Sequence, residues 1–104
     1  MTIKITSAQG GHLRLAVEGA MTIYEAIANK NDLLEALDGA GGLEIDLSAV
    51  DEIDTAGLQL LVMACREGRT AGKPVRLVCG SEAVSEVFDR YGLRSHFDDG
   101  AAAD

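Results

Sequence analysis

The chain of 104 residues, 47% of them hydrophobic, has the size and apolar content of one domain built around a single core. Its formal net charge of −8 argues against nucleic acid and anionic membrane surfaces as partners, because no basic stripe interrupts the acidity. We therefore expect protein partners.

The N-terminal residues predict a β-hairpin and not a targeting segment. Ile3 and Ile5 alternate with polar neighbours, whereas a signal peptide requires an unbroken apolar stretch. The alternation resumes at Leu13 after two glycines, which is typical of the second strand of a hairpin. No apolar run reaches the about 18 residues that span a membrane. We expect a cytoplasmic protein without membrane insertion.

A helix is predicted next, from about Ile23 to Leu37. Thr22 and Glu25 have the spacing of a capping box, in which each side chain bonds a free backbone N–H at the helix start. Glycines from Gly39 onward end the helix. Its apolar positions follow helical spacing and predict a buried stripe: Ile23, Ala26, Ile27, Leu33, Leu34 and Leu37.

A short strand and a second helix follow. The alternation from Leu43 to Leu47 predicts the strand, and a polar connection leads from it to the helix. Asp54 and Thr55 are both residue types that cap helix starts, and the apolar stripe after them ends between Gly68 and Gly72.

The last elements are a buried strand after Pro74 and a third helix that Ser81 caps and that ends before Gly92. Cys65 and Cys79 lie in apolar runs without metal or redox spacing, so we expect reduced core thiols.

This order of elements predicts an α/β fold. A strand–helix–strand crossover makes its two strands parallel, while the initial hairpin is antiparallel, so the sheet is mixed and has about four to five strands. The helices should pack mainly on one face. We expect a single domain over residues 1–99 and a disordered tail over residues 100–104.

The most informative stretch reads DLSAVDEIDTAGLQLL over residues 46–61. It resembles the signature of the STAS family, in which a strand ending in Asp-Leu-Ser leads to Asp-Ser/Thr-x-Gly-Leu at a helix start. The order of elements resembles this family over nearly the whole chain. The resemblance implies a STAS fold and a regulatory, protein-binding role, as in anti-sigma-factor antagonists of bacterial signal transduction and transcription regulation.

In the antagonist branch, the residue that matches Thr55 is phosphorylated by a partner that is both an anti-sigma factor and a serine/threonine kinase, and a phosphatase reverses the mark. The resemblance therefore implies that Thr55 is a phosphorylation site. It also implies a partner-binding surface shared by the starts of the first and second helices. The expected partner-binding residues are Thr22, Tyr24, Asp54, Thr55, Ala56, Gly57 and Leu58.

Other interpretations stay open. In the family, threonine at the position matching Thr55 also occurs in STAS subunits that bind a transporter ATPase without an established phosphoswitch. The alternative is therefore a constitutive STAS subunit of a larger assembly, such as a phospholipid-trafficking transporter ATPase or a chemotaxis or signalling complex, without phosphorylation. Thr55 and Asp54 are also ordinary capping residues, and Tyr24 is equally compatible with a half-buried aromatic. A small-ligand or nucleotide sensor is a third possibility, supported only by family analogy.

We expect neither an enzyme nor a cofactor. Ser48, Ser81, Ser85 and Ser95 show no recognisable arrangement with a histidine and an acidic residue that would activate a nucleophile, and no phosphate-binding Gly-Lys-Ser/Thr loop is present. His12 and His96 have no third metal ligand at a recognisable spacing.

A phosphoryl group at position 55 would act mainly on a partner. It adds about −1.5 to −2 charge, and free N–H groups at a helix start can hold it. The fold should survive, while the acidic surface around Asp51, Glu52 and Asp54 would repel a docked protein more strongly. Gly57 costs helix propensity in a first turn, which suggests a close approach by another backbone.

Overall fold

A computed structural model gives the fold and describes residues 1–96; the predicted domain end at residue 99 and the predicted tail lie outside these residues. The elements in chain order are β1 (Thr2–Gln9), β2 (His12–Met21), α1 (Ile23–Gly39), β3 (Gly42–Ile53), α2 (Thr55–Ala71), β4 (Val75–Val78) and α3 (Glu82–Arg90), followed by a 3-10 turn (Arg94–His96). Within this part of the chain, no helix is long and apolar enough to cross a membrane.

The sheet is mixed and contains four strands among the described residues, in the order β1-β2-β3-β4. β1 and β2 form the predicted antiparallel hairpin, and the pairs β2–β3 and β3–β4 are parallel. The parallel pairs are each joined through a helix, which confirms the fold class that the order of elements predicted.

The core lies between the sheet and the helices on one of its faces. α1 packs over β2 and β3, α2 packs over β3 and β4, and α3 packs against β3. Leu15, Ile45 and Leu77 are neighbours across β2, β3 and β4 and are fully buried. Burial of each such side chain contributes about 2 kcal/mol, so this row anchors the helices.

The opposite face of the sheet carries charged side chains. Arg14 forms ion pairs with Glu44 and, at 3.1 Å, with Asp46. Arg76 on β4 lies 2.8 Å from Glu44. Charges of alternating sign therefore meet across three neighbouring strands, and this face is polar and internally paired.

The predicted end of the third strand at Leu47 was wrong, because β3 continues to Ile53. The extra residues pair with the end of β2, where Gly19 is opposite Val50 and Met21 is opposite Ile53, with two register shifts along the way. These irregularities break the simple alternation that marks a strand in sequence. The polar connection is thus a strand that reaches the start of α2.

The prediction of two core thiols was also wrong. Cys79 is exposed, since β4 ends at Val78 and the chain turns at Cys79 with φ 55°. This turn brings Ser81 N to 3.2 Å from Leu47 O. Cys65 is half-buried against the core, and burial raises the pKa of its thiol.

Candidate docking face at two helix starts

The start of α2 is capped by Asp54. Asp54 has an extended backbone, with φ −116° and ψ −172°. Its Oδ1 accepts hydrogen bonds from Ala56 N at 2.9 Å and from Gly57 N at 3.2 Å. Of the two capping residues that the sequence left open, Asp54 is therefore the cap and Thr55 is the first residue of the helix.

The same carboxylate also reaches the start of α1. Asp54 Oδ2 accepts a hydrogen bond from Ile23 N at 3.0 Å, across 31 positions of sequence. Asp54 N lies 3.4 Å from Met21 O, at the end of β2. One residue thus joins the beginnings of both helices.

The capping box predicted at Thr22 and Glu25 was wrong. Thr22 precedes α1 as its cap residue, but its side chain makes no hydrogen bond to a helix N–H. Its hydroxyl donates to the Glu25 carboxylate, and this bond lowers the pKa of Glu25. The spacing brought the two side chains together, but they bond each other and not the backbone N–H groups of a capping box.

Gly57 lies where α2 passes the end of β2. A Cβ at this position would overlap the carbonyl oxygen of Met21 and would lie 2.9 Å from Ile53 Cγ1. The close backbone approach that the sequence suggested is therefore confirmed. Because Gly57 has no side chain, the start of α2 can sit directly on the strand that leads to α1.

Thr55 is exposed at the first position of α2. Its hydroxyl has no hydrogen-bond partner within residues 1–96. Position 55 therefore offers an accessible oxygen at a helix start. The expectation that free N–H groups would hold a phosphate there needs correction, since Asp54 already occupies Ala56 N and Gly57 N.

The first turns of α1 carry exposed apolar side chains. Ile23 is 50% exposed, Tyr24 82% and Ile27 71%. The half-buried aromatic that was one interpretation of Tyr24 is thus ruled out in this chain. The buried stripe predicted for α1 was too wide, because Ala26, Leu33 and Leu37 face the core while the two isoleucines face outward. We call Ile23, Tyr24 and Ile27 the apolar patch.

A groove of about 650 Å³ lies beside the apolar patch, between α1 and α2. Residues on its α2 side include Gln59, Met63 and Arg66. The sequence analysis missed Ile23, Ile27 and these three residues as candidates for contact. The available signal was the width of the apolar stripe on α1, since Ala26 and Ile27 are neighbours that lie about 100° apart around the helix axis.

The seven residues expected to bind a partner fall into two groups. Thr22, Tyr24, Asp54, Thr55 and Ala56 are at least partly accessible around the two helix starts. Leu58 is buried in the core, and Gly57 is buried against Met21. These two buried residues support the exposed residues of the face from the core side.

The fold, together with a helix start that reads DTAGL, defines a STAS domain. The family model described as "Mlab, STAS domain" matches residues 5–95, and the chain belongs to this family.

Solved structures resemble the whole chain. An anti-sigma factor antagonist from Mycobacterium paratuberculosis is 22% identical, with a TM-score of 0.79 over 99% of this chain and 94% of that one. The antagonist SpoIIAA in its unphosphorylated form is 15% identical, with a TM-score of 0.78 over 94% and 87%. A sulfate transporter family protein from Wolinella succinogenes is 17% identical, with a TM-score of 0.69 over 94% and 85%.

These likenesses show a fold that antagonists and a transporter family protein share, and they do not assign one activity. No curated protein matches the chain. The functional argument therefore rests on the face itself.

Proposed function

We propose that this chain is a non-catalytic bacterial regulator that resembles an anti-sigma-factor antagonist and acts in the cytoplasm. It binds a partner that is both an anti-sigma factor and a kinase, through the face formed by the starts of α1 and α2. The kinase transfers a phosphoryl group from ATP to the Thr55 hydroxyl, a phosphatase removes it by hydrolysis, and the mark controls docking.

The observation that carries this proposal is the contrast between two threonines at neighbouring helix starts. The Thr55 hydroxyl is exposed and has no hydrogen-bond partner within the described residues. The Thr22 hydroxyl is half-buried and donates to Glu25. A kinase needs an accessible hydroxyl, so Thr55 is the better substrate of the two.

Electrostatics explain how the mark would act. A phosphoryl group at Thr55 adds about −1.5 to −2 charge. Two first-turn N–H groups are already bonded to Asp54, and the exposed carboxylates of Asp51 and Glu52 precede that residue. The added charge thus joins an acidic surface and repels a docked protein without refolding the domain.

The surroundings of Thr55 suit a protein partner. The apolar patch offers large side chains that a partner can remove from water, and the groove beside it can accept partner side chains. Lys30 and Arg66 line this groove, whereas the acidic residues lie at the helix starts. A matching partner surface is apolar at its centre and carries acidic groups opposite Lys30 and Arg66, so added negative charge at Thr55 repels it.

The test is the intact mass of the protein isolated from its native cells under growth and stress conditions. We expect a phosphatase-sensitive addition of one phosphoryl group that is absent from Thr55→Ala and retained in Thr22→Ser. A mass without phosphate under every condition would contradict the proposed switch.

A second candidate is a constitutive STAS subunit of a phospholipid-trafficking transporter ATPase or a signalling complex. The description of the matching family model and the likeness to a transporter family protein favour it. It uses the same face without phosphorylation. Unmodified protein that co-purifies with an ATPase, with equal yield for wild type and Thr55→Ala, would support this candidate.

A further inference from the structure

We infer that Asp54 is the positioning residue of the docking face, because its single carboxylate fixes the first turn of α1 against the first turn of α2. The consequence for partner binding rests on the proposed function. The structural part concerns this chain alone and can be tested without a partner.

The start of α1 depends on an acceptor from elsewhere in the chain. The first N–H groups of a helix have no partner inside the helix. A cap side chain such as that of Thr22 normally serves the second or third N–H of a helix, and here the Thr22 hydroxyl is bonded to Glu25. The side-chain oxygen that accepts from Ile23 N is Asp54 Oδ2, at 3.0 Å. Asp54 therefore caps a helix to which it does not belong.

The two oxygens of Asp54 have separate tasks. Oδ1 accepts both hydrogen bonds from α2, and Oδ2 accepts the bond from α1. An asparagine can keep its one oxygen on the two α2 donors, and asparagine is a good helix cap. Its amide NH₂ then faces Ile23 N–H, so two donors meet and the bond to α1 is lost.

Loss of the hydrogen bond from Ile23 N to Asp54 should change the structure only near this bond. Gly57 rests on Met21, and the row of buried residues beneath α2 does not involve Asp54. The residues freed by breaking the bond are those of the first turn of α1, where Ile23 and Tyr24 of the apolar patch lie. Asp54 thus fixes the position of the apolar patch relative to Thr55.

Amide hydrogen exchange on the free full-length chain tests the positioning role. In Asp54→Asn we expect Ile23 N–H to exchange about tenfold faster, while Ala56 N–H and Gly57 N–H keep their protection. The control is Asp51→Asn, which removes the same charge from an exposed carboxylate that makes no hydrogen bond within residues 1–96. It should leave all three amides unchanged. Unchanged protection at Ile23, or an equal loss at all three amides, in Asp54→Asn would overturn the inference.

The binding arm uses the purified protein that the wild-type chain retains from native cells. We expect Asp54→Asn to weaken its affinity about tenfold and Asp51→Asn not to weaken it, with both variants folded at the assay temperature. A merely stabilising cap would leave the affinity of the folded variant unchanged. Faster exchange at Ile23 with wild-type affinity would overturn the role in docking.

The two failures are distinguishable. If the wild-type chain retains no protein, the proposed function fails, while the exchange data still decide whether Asp54 joins the two helices.

Discussion

Gly57 shows at the scale of one residue how the face is built. A Cβ at this position would overlap the Met21 carbonyl oxygen, so a side chain there would force α2 away from β2. We expect Gly57→Ala to lower the free energy of unfolding by about 2 kcal/mol, despite the better helix propensity of alanine. Urea unfolding measures this change.

The matched control is Gly39→Ala at the end of α1, where a Cβ has no neighbour within 4 Å. This substitution should be neutral or stabilising by up to about 1 kcal/mol. Equal stabilities for wild type and Gly57→Ala would mean that the close approach to Met21 is absent.

Asp46 gives a prediction about pH. Burial raises its pKa, but hydrogen bonds from Ser48 and Arg14 outweigh burial and leave the pKa below its usual value. Because the folded-state pKa is depressed, the stabilisation is complete above the unfolded pKa of about 3.9 and is lost as pH falls through the folded pKa.

We therefore expect Asp46→Asn to be about 1 kcal/mol less stable than wild type at pH 7, with a smaller difference at about pH 2.5, which lies below the unfolded pKa. Urea unfolding at both pH values measures it, with Asp51→Asn as the control. A difference that is the same at both pH values would show that the ionised carboxylate contributes nothing.

The hydrogen bonds at the start of α1 show what the sequence alone can and cannot predict. The spacing of Thr22 and Glu25 correctly predicted that the two side chains meet. It could not predict the hydrogen bond from Ile23 N to Asp54, because these two residues are 31 positions apart in the sequence. By contrast, the close approach at Gly57 could be predicted from the sequence. Glycine lowers the helix propensity of a first turn, and a compensating contact was therefore expected.

At the scale of whole elements, α1 has an inner face in the core and an outer face that carries the apolar patch. Ile27→Gln should leave the free energy of unfolding within about 0.5 kcal/mol, since the side chain is 71% exposed. It should weaken partner binding about tenfold if the patch is at the centre of the interface. Isothermal titration with the purified partner measures the affinity.

The same substitution at Ile5 is the control. Ile5 is 65% exposed on the edge strand β1, away from the two helix starts. Ile5→Gln should change neither the stability nor the affinity appreciably. Equal weakening by both substitutions would show that the patch has no special role.

The elements also explain which parts of the fold the sequence predicts well. Regular alternation and helical spacing located the hairpin, all three helices and β4. The second half of β3 was not predicted from the sequence, because the pairing of β3 with β2 includes two register shifts. Ile23 and Ile27 were placed in the core because apolar periodicity identifies a helix more reliably than the width of its buried stripe.

At the scale of the whole molecule, the two sides of the sheet differ in what they leave for a partner. The side without helices pairs its charges internally through Arg14, Glu44 and Asp46. The helical side leaves an unpaired hydroxyl and exposed apolar side chains at adjoining helix starts. This asymmetry, more than the net charge of −8, is the reason for proposing the helical side as the docking side of a protein partner.

The most direct test is the affinity of Thr55→Glu for the purified protein that the wild-type chain retains from native cells. Thr70→Glu is the matched control, since Thr70 is exposed on the same helix about 22 Å further along its axis. We expect Thr55→Glu to bind at least about tenfold more weakly than wild type, and Thr70→Glu to remain within about twofold. Wild-type affinity for Thr55→Glu would contradict the assignment of position 55 to the docking face.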